Sequence, residues 1–151
     1  MAYIFFGNQE MIYNLIPHRG DLALLQSAEI FTEDDSDNGK PYIICQVGLS
    51  EKLFSDHFKV FPGYLMAEAM AQAGAVLSLR ISQTSHGKAI MPALASAEKM
   101  RWLLPVRTRF LETKVWLLKS RGNIYKFKGE VRCNGQLVAF GEFTGALVEQ
   151  P

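Results

Sequence analysis

The residues best suited to chemistry lie in the segment HFKVFPGYLMAEAMAQ, which runs from His57 to Gln72. It contains a histidine and, 11 residues later, the carboxyl group of Glu68, which has Met and Ala as its immediate neighbours. An apolar setting disfavours the charged form of a carboxylate, so we expect the pKa of Glu68 to rise. A histidine and such an acid in one pocket are suited to general base and general acid catalysis. The alternative is that Glu68 is a structural residue and His57 an ordinary loop residue; the residues alone leave both open.

Two further residues of this segment have a chemical use. Gly63 follows a proline at the expected start of a helix, where backbone N–H groups lack partners inside the helix and the dipole favours negative charge. A carbonyl oxygen placed there would be polarised, although Pro-Gly is also a common way to start a helix. Gln72 lies one helical turn after Glu68 on the same face, where it is placed to orient the carboxyl group or a water molecule.

The sequence gives little support for other kinds of functional site. We expect His18 and His86, both in loops, to be solvent-exposed histidines. Three scattered histidines and two distant cysteines form no recognisable set of metal ligands. The chain has no phosphate-binding glycine motif and no nucleophile elbow. RNA binding through aromatic residues on a basic sheet has no motif behind it, so we predict no nucleic-acid partner.

The elements that position this segment can be predicted from the same sequence. Pro62 and Gly63 suit a helix start, and from Tyr64 to about Ser82 the chain is rich in Ala, Leu and Met and has no proline. Its apolar residues lie on nearly every face, which indicates a helix buried on most sides. Many of its residues are Ala or Gly, which would let a sheet approach closely.

The remaining chain predicts a short helix and a series of strands. The helix is expected over residues 8–16, capped by Asn8 and ended by Pro17. Strands are expected on both sides of the main helix, with hairpin turns at Asn38-Gly39 and Asn134-Gly135. The predicted strands are residues 22–31, 42–49, 89–99, 110–120, 124–133 and 137–148. A helix on one face of an antiparallel sheet is an α+β architecture, and a curved sheet wrapped around the helix would satisfy its all-round apolarity.

Length and composition set the remaining limits. The 151 residues fit a single domain over 1–151. The N-terminus lacks a basic leader and a small-residue cleavage site, and the uncharged run from Ala69 to Leu79 is far short of the roughly 20 residues of a membrane span. We therefore expect a soluble cytoplasmic protein with no membrane span.

The charge of the chain is unevenly distributed. Residues 1–60 carry four basic and nine acidic side chains, whereas residues 98–133 carry ten basic and three acidic ones. This asymmetry either marks a surface for an acidic partner or reflects the solvent-facing sides of strands.

At this point the pattern resembles a known family, the β-hydroxyacyl-acyl-carrier-protein dehydratases of bacterial type II fatty acid synthesis. PHRGDLALL is similar to the "LPHRxPFLLV" segment of that family, and DHFKVFPGYLMAEAMAQAGAVL resembles its "GHFPGxPxMPGVLxxEAxAQ" signature. KMRWLLPV and LLKSRGNIYKFKGEVRCNGQLVAFGEF resemble its later strands. The resemblance covers most of the chain and implies a hot-dog fold, in which a curved antiparallel sheet wraps a long helix.

The resemblance also implies an activity and an assembly. The substrate would be a β-hydroxyacyl chain on the phosphopantetheine of acyl carrier protein, dehydrated to a trans-2-enoyl thioester without a metal or an organic cofactor. The family forms homodimers, often a trimer of dimers, in which His from one subunit and Glu from the other form each site. Because the carrier is acidic, the basic region 98–133 becomes its candidate docking surface.

Site residues follow from the resemblance position by position. His57 would remove the α-proton and Glu68 would protonate the departing β-hydroxyl. The N–H of Gly63 would polarise the thioester carbonyl, and the carbonyl of Val60 would fix the tautomer of the His57 ring. Gln72 matches the Gln of "EAxAQ". We also assign Phe61 and Tyr64 to the substrate-binding residues.

The chain departs from the family pattern at two places. HFKVFPG lacks three residues of the family loop, including a Pro-Gly, and PVRTRF replaces a later "PxxPGD"-like turn. The shortened loop motivates a second hypothesis, a non-catalytic hot-dog protein that binds an acyl chain or a partner protein. A pocket closed by Phe61 or Tyr64 would favour it. An acyl thioesterase on the same fold is a third possibility.

Overall fold

The computed structural model of the protein describes residues 2–32, 39–82 and 90–149. Its elements are seven strands, three α-helices and a short 3-10 turn over Gly20–Leu22. In chain order they are β1 (Ala2–Asn8), α1 (Gln9–Tyr13), β2 (Leu25–Thr32), β3 (Tyr42–Gly48), α2 (Glu51–Asp56), α3 (Gly63–Ser82), β4 (Ile90–Trp102), β5 (Phe110–Arg121), β6 (Ile124–Cys133) and β7 (Gln136–Glu149).

The main helix matches the prediction at both ends. α3 begins at Gly63, directly after Pro62, and ends at Ser82. Half of its residues are buried, and they include Leu, Met, Val and Ala from several faces of the helix. A helix that is apolar on most faces needs cover on most sides, and α3 contacts every strand from β2 to β7.

The strands form one antiparallel sheet in the order β1-β2-β3-β5-β6-β7-β4. Because a single helix contacts six of these seven strands, the sheet has to curve around it. The core lies between the inner face of the sheet and α3, and it contains Ile30, Val115, Phe127 and Leu77. The predicted α+β architecture, a long helix wrapped by a curved antiparallel sheet, is confirmed.

The hairpin turn predicted at Asn134-Gly135 is also confirmed. Asn134 and Gly135 have φ values of 51° and 82°, the pair of positive angles that a type I′ turn needs. β6 has the predicted bounds, and Tyr125, Phe127 and Val131 on one face are buried. β2 and β3 pair in antiparallel fashion, but Asn38 of the predicted turn between them lies outside the described residues.

Three elements near the N-terminal half differ from expectation. α1 ends at Tyr13 rather than near Ile16, although Asn8 caps it as predicted by accepting a hydrogen bond from the Met11 N–H at 3.0 Å. Strand β1 was not predicted, and its pairing with β2 is a long-range contact with no local signal. Helix α2 was not predicted either; its signal is Ser50, whose side chain caps it.

In the described parts of the chain, no helix combines the length and apolarity needed to cross a bilayer.

Close approach of the sheet to α3 depends in part on the glycine at position 74. A Cβ atom at Gly74 would lie 2.8 Å from the ring of Phe143 and 3.4 Å from that of Phe127. These two rings are stacked on each other with centroids 5.1 Å apart, so the Phe143 ring cannot shift towards Phe127. The small-residue character of the helix therefore has a specific packing role here.

We predict that Gly74→Val lowers the free energy of unfolding by about 2 kcal/mol, because overpacking a rigid aromatic pair forces side chains off their rotamers. Urea denaturation measures the change. Gly145→Val is the matched control, since a Cβ at Gly145 meets its nearest neighbour at an ordinary 3.4 Å. Equal losses in the two variants would contradict the packing argument.

Candidate active site

One stripe of α3 is left uncovered by the sheet. Tyr64, Ala67, Glu68, Ala71 and Ala75 recur at intervals of three or four residues, which places them on one helical face, and each is at least partly exposed. Two clefts lie along this stripe. Glu68 and Ala71 line both clefts, and the opposite walls come from β4, β6 and β7. Apart from Glu68, His18, Gln72, Ser78 and Tyr64, the lining is formed by Ala, Gly, Pro, Leu, Met and Phe.

The carboxyl group of Glu68 accepts two hydrogen bonds on a single oxygen. His18 Nε2 lies 3.1 Å from Oε1, and Gln72 Nε2 donates to the same Oε1 from 3.1 Å. The exposed fractions of the side chains are 26% for His18 and 33% for Glu68, so the pair is partly shielded from solvent. Glu68 is therefore held in one orientation by residues from a distant loop and from its own helix.

These contacts reverse the expected pKa shift of Glu68. The hydrogen bond from His18 lowers the pKa of Glu68 most, and the hydrogen bond from Gln72 lowers it further, while burial acts in the opposite direction. Donors stabilise the ionised form, and here they outweigh desolvation. The expectation of a raised pKa was wrong because apolar neighbours in the sequence do not reveal a polar partner from elsewhere in the chain.

Gln72 connects Glu68 to the N-terminal loop. It is 1% exposed, and every polar group of its side chain is used. Its Nε2 donates to the Leu22 carbonyl at 2.7 Å as well as to Glu68, and its Oε1 accepts from the Leu24 N–H at 3.3 Å. The hydrogen bond from Gln72 to Glu68 is the contact that Gln72 needs in order to orient the carboxyl group, which is the role predicted for it.

His57 ends helix α2 and is exposed. Its Nδ1 lies 2.9 Å from the Val60 carbonyl oxygen. A carbonyl can only accept, so Nδ1 carries the hydrogen, and Nε2 of the neutral ring has the free lone pair. The structure thus contains the contact expected between His57 and Val60, and among the described residues Nε2 has no hydrogen-bond partner.

The loop after His57 is tight and anchored. Phe58 and Lys59 both have a φ of 55°, which is uncommon for residues other than glycine. The Phe61 N–H donates to the Val106 carbonyl at 2.7 Å, and the Phe61 ring is buried in the core. The two places where the sequence leaves the family pattern are therefore hydrogen-bonded to each other. Phe61 lines neither cleft, and its part in substrate binding stays a prediction.

Gly63 is covered by an aromatic residue. The indole N–H of Trp102 donates to the Gly63 carbonyl at 2.9 Å, and a Cβ at Gly63 would lie 2.9 Å from the same nitrogen. Glycine is therefore required for the indole to sit here. The first N–H groups of α3, at Gly63 and Tyr64, find no acceptor within the described part of the chain, as expected at a helix N-terminus. Tyr64 is 67% exposed and lines the cleft that Ala67 and Met100 also line.

Within one protomer the predicted residues form two groups. Glu68, Gln72 and Tyr64 lie along the uncovered stripe, whereas His57 and Val60 lie in the loop before α3. No hydrogen bond or ion pair among the described residues joins His57 to Glu68, and His57 lines neither cleft.

The sequence analysis missed His18, which it treated as a solvent-exposed loop residue. The structure places His18 against Glu68, in the wall of the cleft that Gln72 and Ser78 also line. The only signal available was its position in PHRGDLALL, the segment that resembles the N-terminal motif of the family. His86, treated in the same way, lies outside the described residues.

We predict that Gln72→Leu lowers the free energy of unfolding by about 2 to 3 kcal/mol, because it leaves the Leu22 carbonyl and the Leu24 N–H without their partner. Chemical denaturation monitors the loss. Ser78→Ala is the control on the same helix, since the Ser78 hydroxyl donates only to the Ala75 carbonyl one turn earlier. That variant should stay within about 1 kcal/mol of wild type; a similar loss in both would argue against a special role for Gln72.

The lowered pKa of Glu68 predicts a pH dependence of stability. A group whose pKa is lower in the folded state stabilises the fold above its ordinary value of 4.5, and this contribution disappears as the pH falls through the lowered value. The melting temperature of wild type relative to Glu68→Gln should therefore fall between pH 7 and pH 3. A difference that is constant over this range, or that grows towards acid, would contradict the assignment.

Comparison with known proteins identifies the family. A family model described as FabA-like domain matches residues 16–142. The 3-hydroxyacyl-acyl-carrier-protein dehydratase FabZ of Caulobacter sp. (strain K31) is 36% identical over 145 residues, covering 93% of this chain and 85% of the relative. The enzyme of the same name from Paramagnetospirillum magneticum is 32% identical over 144 residues, covering 92% and 86%.

Solved structures share the fold. The dehydratase heterocomplex ApeI:P from Xenorhabdus doucetiae matches with a TM-score of 0.68 and 24% identity over 93% of this chain and 90% of that one. A thioesterase from Haemophilus influenzae matches with a TM-score of 0.60 and 16% identity, covering 81% and 78%. At such low identity these structures speak to the fold alone, which is the hot-dog fold. The chain belongs to the family of FabA-like domains, as the resemblance of its motifs predicted.

Proposed function

We propose that this protein is a 3-hydroxyacyl-acyl-carrier-protein dehydratase, a hydro-lyase that forms trans-2-enoyl thioesters in fatty acid or related acyl-chain synthesis. The single observation that carries the proposal is Glu68, an oriented carboxyl group on the uncovered stripe of α3 where two largely apolar clefts meet. The dehydratase relatives, which match more than nine-tenths of the chain, support the choice of substrate. A cytoplasmic location is part of the same proposal.

In the proposed reaction, His57 Nε2 takes the α-proton of the substrate. Glu68 donates a proton to the β-hydroxyl group as the C–O bond breaks, so that a double bond forms between Cα and Cβ and water leaves. The Gly63 N–H polarises the thioester carbonyl, where negative charge develops. Val60 fixes the His57 tautomer, Gln72 orients Glu68, and Phe61 and Tyr64 shape the binding site. These steps use side chains and backbone groups of the chain itself and call for no metal or organic cofactor.

Two copies of the chain would complete the site. His57 and Glu68 do not meet within one protomer, and the uncovered stripe of α3 lies beside β4, the last strand of the sheet. Among the described strands, β4 pairs with β7 on one side and with none on the other, and it exposes Leu94 and Trp102. Exposed edges and apolar side chains favour association, so we propose a homodimer in which each site combines His57 of one copy with Glu68 of the other. A trimer of dimers is the larger form of the same assembly.

The basic region 98–133 is the proposed docking surface for acyl carrier protein. Part of its charge is already balanced on the sheet surface, where Glu142 lies 3.6 Å from Lys99 and 3.9 Å from Lys126. The ten cations of the region nevertheless exceed its three acidic residues, and an acidic carrier would be attracted by that excess.

The test is dehydration of a 3-hydroxyacyl acyl carrier protein by the pure protein, followed by mass spectrometry of the carrier-bound product. His57→Ala and Glu68→Gln should each lower kcat by about 100-fold to 10,000-fold, the range for loss of a general acid or base. Glu51→Gln is the control, since Glu51 lies in the first turn of α2 and lines neither cleft.

Three outcomes would contradict the proposal. Unchanged dehydration rates in both His57→Ala and Glu68→Gln would contradict the catalytic roles assigned to these two residues. Binding of the acyl carrier without turnover would support the non-catalytic alternative instead. Release of free thiol in place of an enoyl product would identify an acyl thioesterase.

A further inference from the structure

The loop that carries His18 is held rigidly on its N-terminal side. The Arg19 guanidinium donates to three carbonyl groups, those of Tyr13 at 2.6 Å, Ile16 at 2.8 Å and His18 itself at 2.8 Å. It also lies over the Tyr13 ring, 4.8 Å from its centroid. One arginine thus closes the turn between α1 and His18.

The same loop is held on its C-terminal side by α3. The buried amide of Gln72 binds the Leu22 carbonyl and the Leu24 N–H. His18 therefore lies between two anchors, Arg19 and Gln72, and its ring is presented to Glu68 by a fixed backbone. Such double anchoring is what a precisely placed side chain requires.

The hydrogen-bond geometry indicates which ring nitrogen of His18 is protonated. Nε2 lies 3.1 Å from Glu68 Oε1, whereas Nδ1 is buried and has no hydrogen-bond partner among the described residues. A protonated Nδ1 would be a buried donor with no acceptor, which is more costly than an unfilled lone pair. A ring with its hydrogen on Nε2 fits this environment, because Nε2 then donates to the carboxylate.

Both donors, His18 and Gln72, converge on Oε1. Among the residues that the structure describes, none forms a hydrogen bond with Oε2. We propose that His18 is a positioning residue for Glu68: with Gln72 it occupies Oε1 and so reserves Oε2 to carry the proton and meet the β-hydroxyl of the substrate.

This role rests on the proposed dehydration and explains how the acid works. Oε2–H gives its proton to the hydroxyl group as the C–O bond breaks, and Glu68 becomes a carboxylate. Hydrogen bonds to a charged acceptor are stronger than those to a neutral one, so the bonds from His18 and Gln72 strengthen as this charge develops. The same bonds lower the pKa of Glu68, so they make its protonated form a stronger acid and at the same time a less populated one.

The kinetic test compares His18→Leu, which removes the donor, with His18→Gln, which keeps a neutral N–H donor at a similar reach. We expect His18→Leu to lower kcat by about 10-fold to 100-fold with a smaller change in KM, and His18→Gln to recover most of the loss. Asp21→Ala, an exposed residue of the same loop, is the control for disturbance of the backbone. Equal losses in the Leu and Gln variants would overturn the proposal.

The pH–rate profile separates positioning from a structural effect. His18 and Tyr64 are the titratable side chains that line the clefts beside Glu68 in the described chain. In His18→Leu the limb of the profile that reports Glu68 should move to higher pH, because the group that lowers its pKa is gone. A loss of activity that is uniform at every pH would contradict the proposal.

A readout that does not depend on turnover completes the test. Long-range proton–nitrogen NMR of the histidine rings should show His18 with its hydrogen on Nε2, and its ring signals should shift in Glu68→Gln. Unchanged ring signals would refute the contact. If wild type shows no dehydration, the proposed function falls, while the NMR result still decides whether His18 holds Glu68.

Discussion

The structure depends on one constraint, the burial of a helix that is apolar on most of its faces. α3 can be covered only by a sheet that curves around it, and six strands do so. Close contact in turn needs small residues, and Gly74 against the Phe143 ring is one example. What the sheet leaves uncovered is a single stripe that begins at Tyr64 and includes Glu68, and this stripe forms the walls of both clefts. The packing of the sheet around α3 therefore also forms the walls of the candidate site.

The polar network on this stripe links distant parts of the chain. Gln72 is a fully buried amide whose three hydrogen bonds reach Leu22, Leu24 and Glu68. Removing any member leaves a buried group without a partner, so stability and orientation of the acid are coupled. Arg19 extends the same network to α1 through carbonyl groups of the backbone. The N-terminal loop thus acts as part of the site although it lies about 50 positions before Glu68.

The loop after His57 follows a tight path. It runs through two residues of positive φ and is held at Phe61 by the carbonyl of Val106, in the second segment that departs from the family pattern. His57 contacts the Val60 carbonyl in this path. The two segments are therefore joined by a hydrogen bond, and Nδ1 of His57 faces a carbonyl acceptor.

The sequence by itself determined the bounds of α3 and the hairpins after it, and it predicted the segment from His57 to Gln72 as the functional centre. These features follow from local periodicity, capping, turn chemistry and a long motif, all of which are contained in neighbouring residues. Only the tertiary structure decided that His18 meets Glu68, that the pKa of Glu68 is lowered rather than raised, and that β1 pairs with β2. The physical reason is the same in each case: a hydrogen bond between residues far apart in the chain leaves no periodic signal, yet it can outweigh the local environment that the sequence does show.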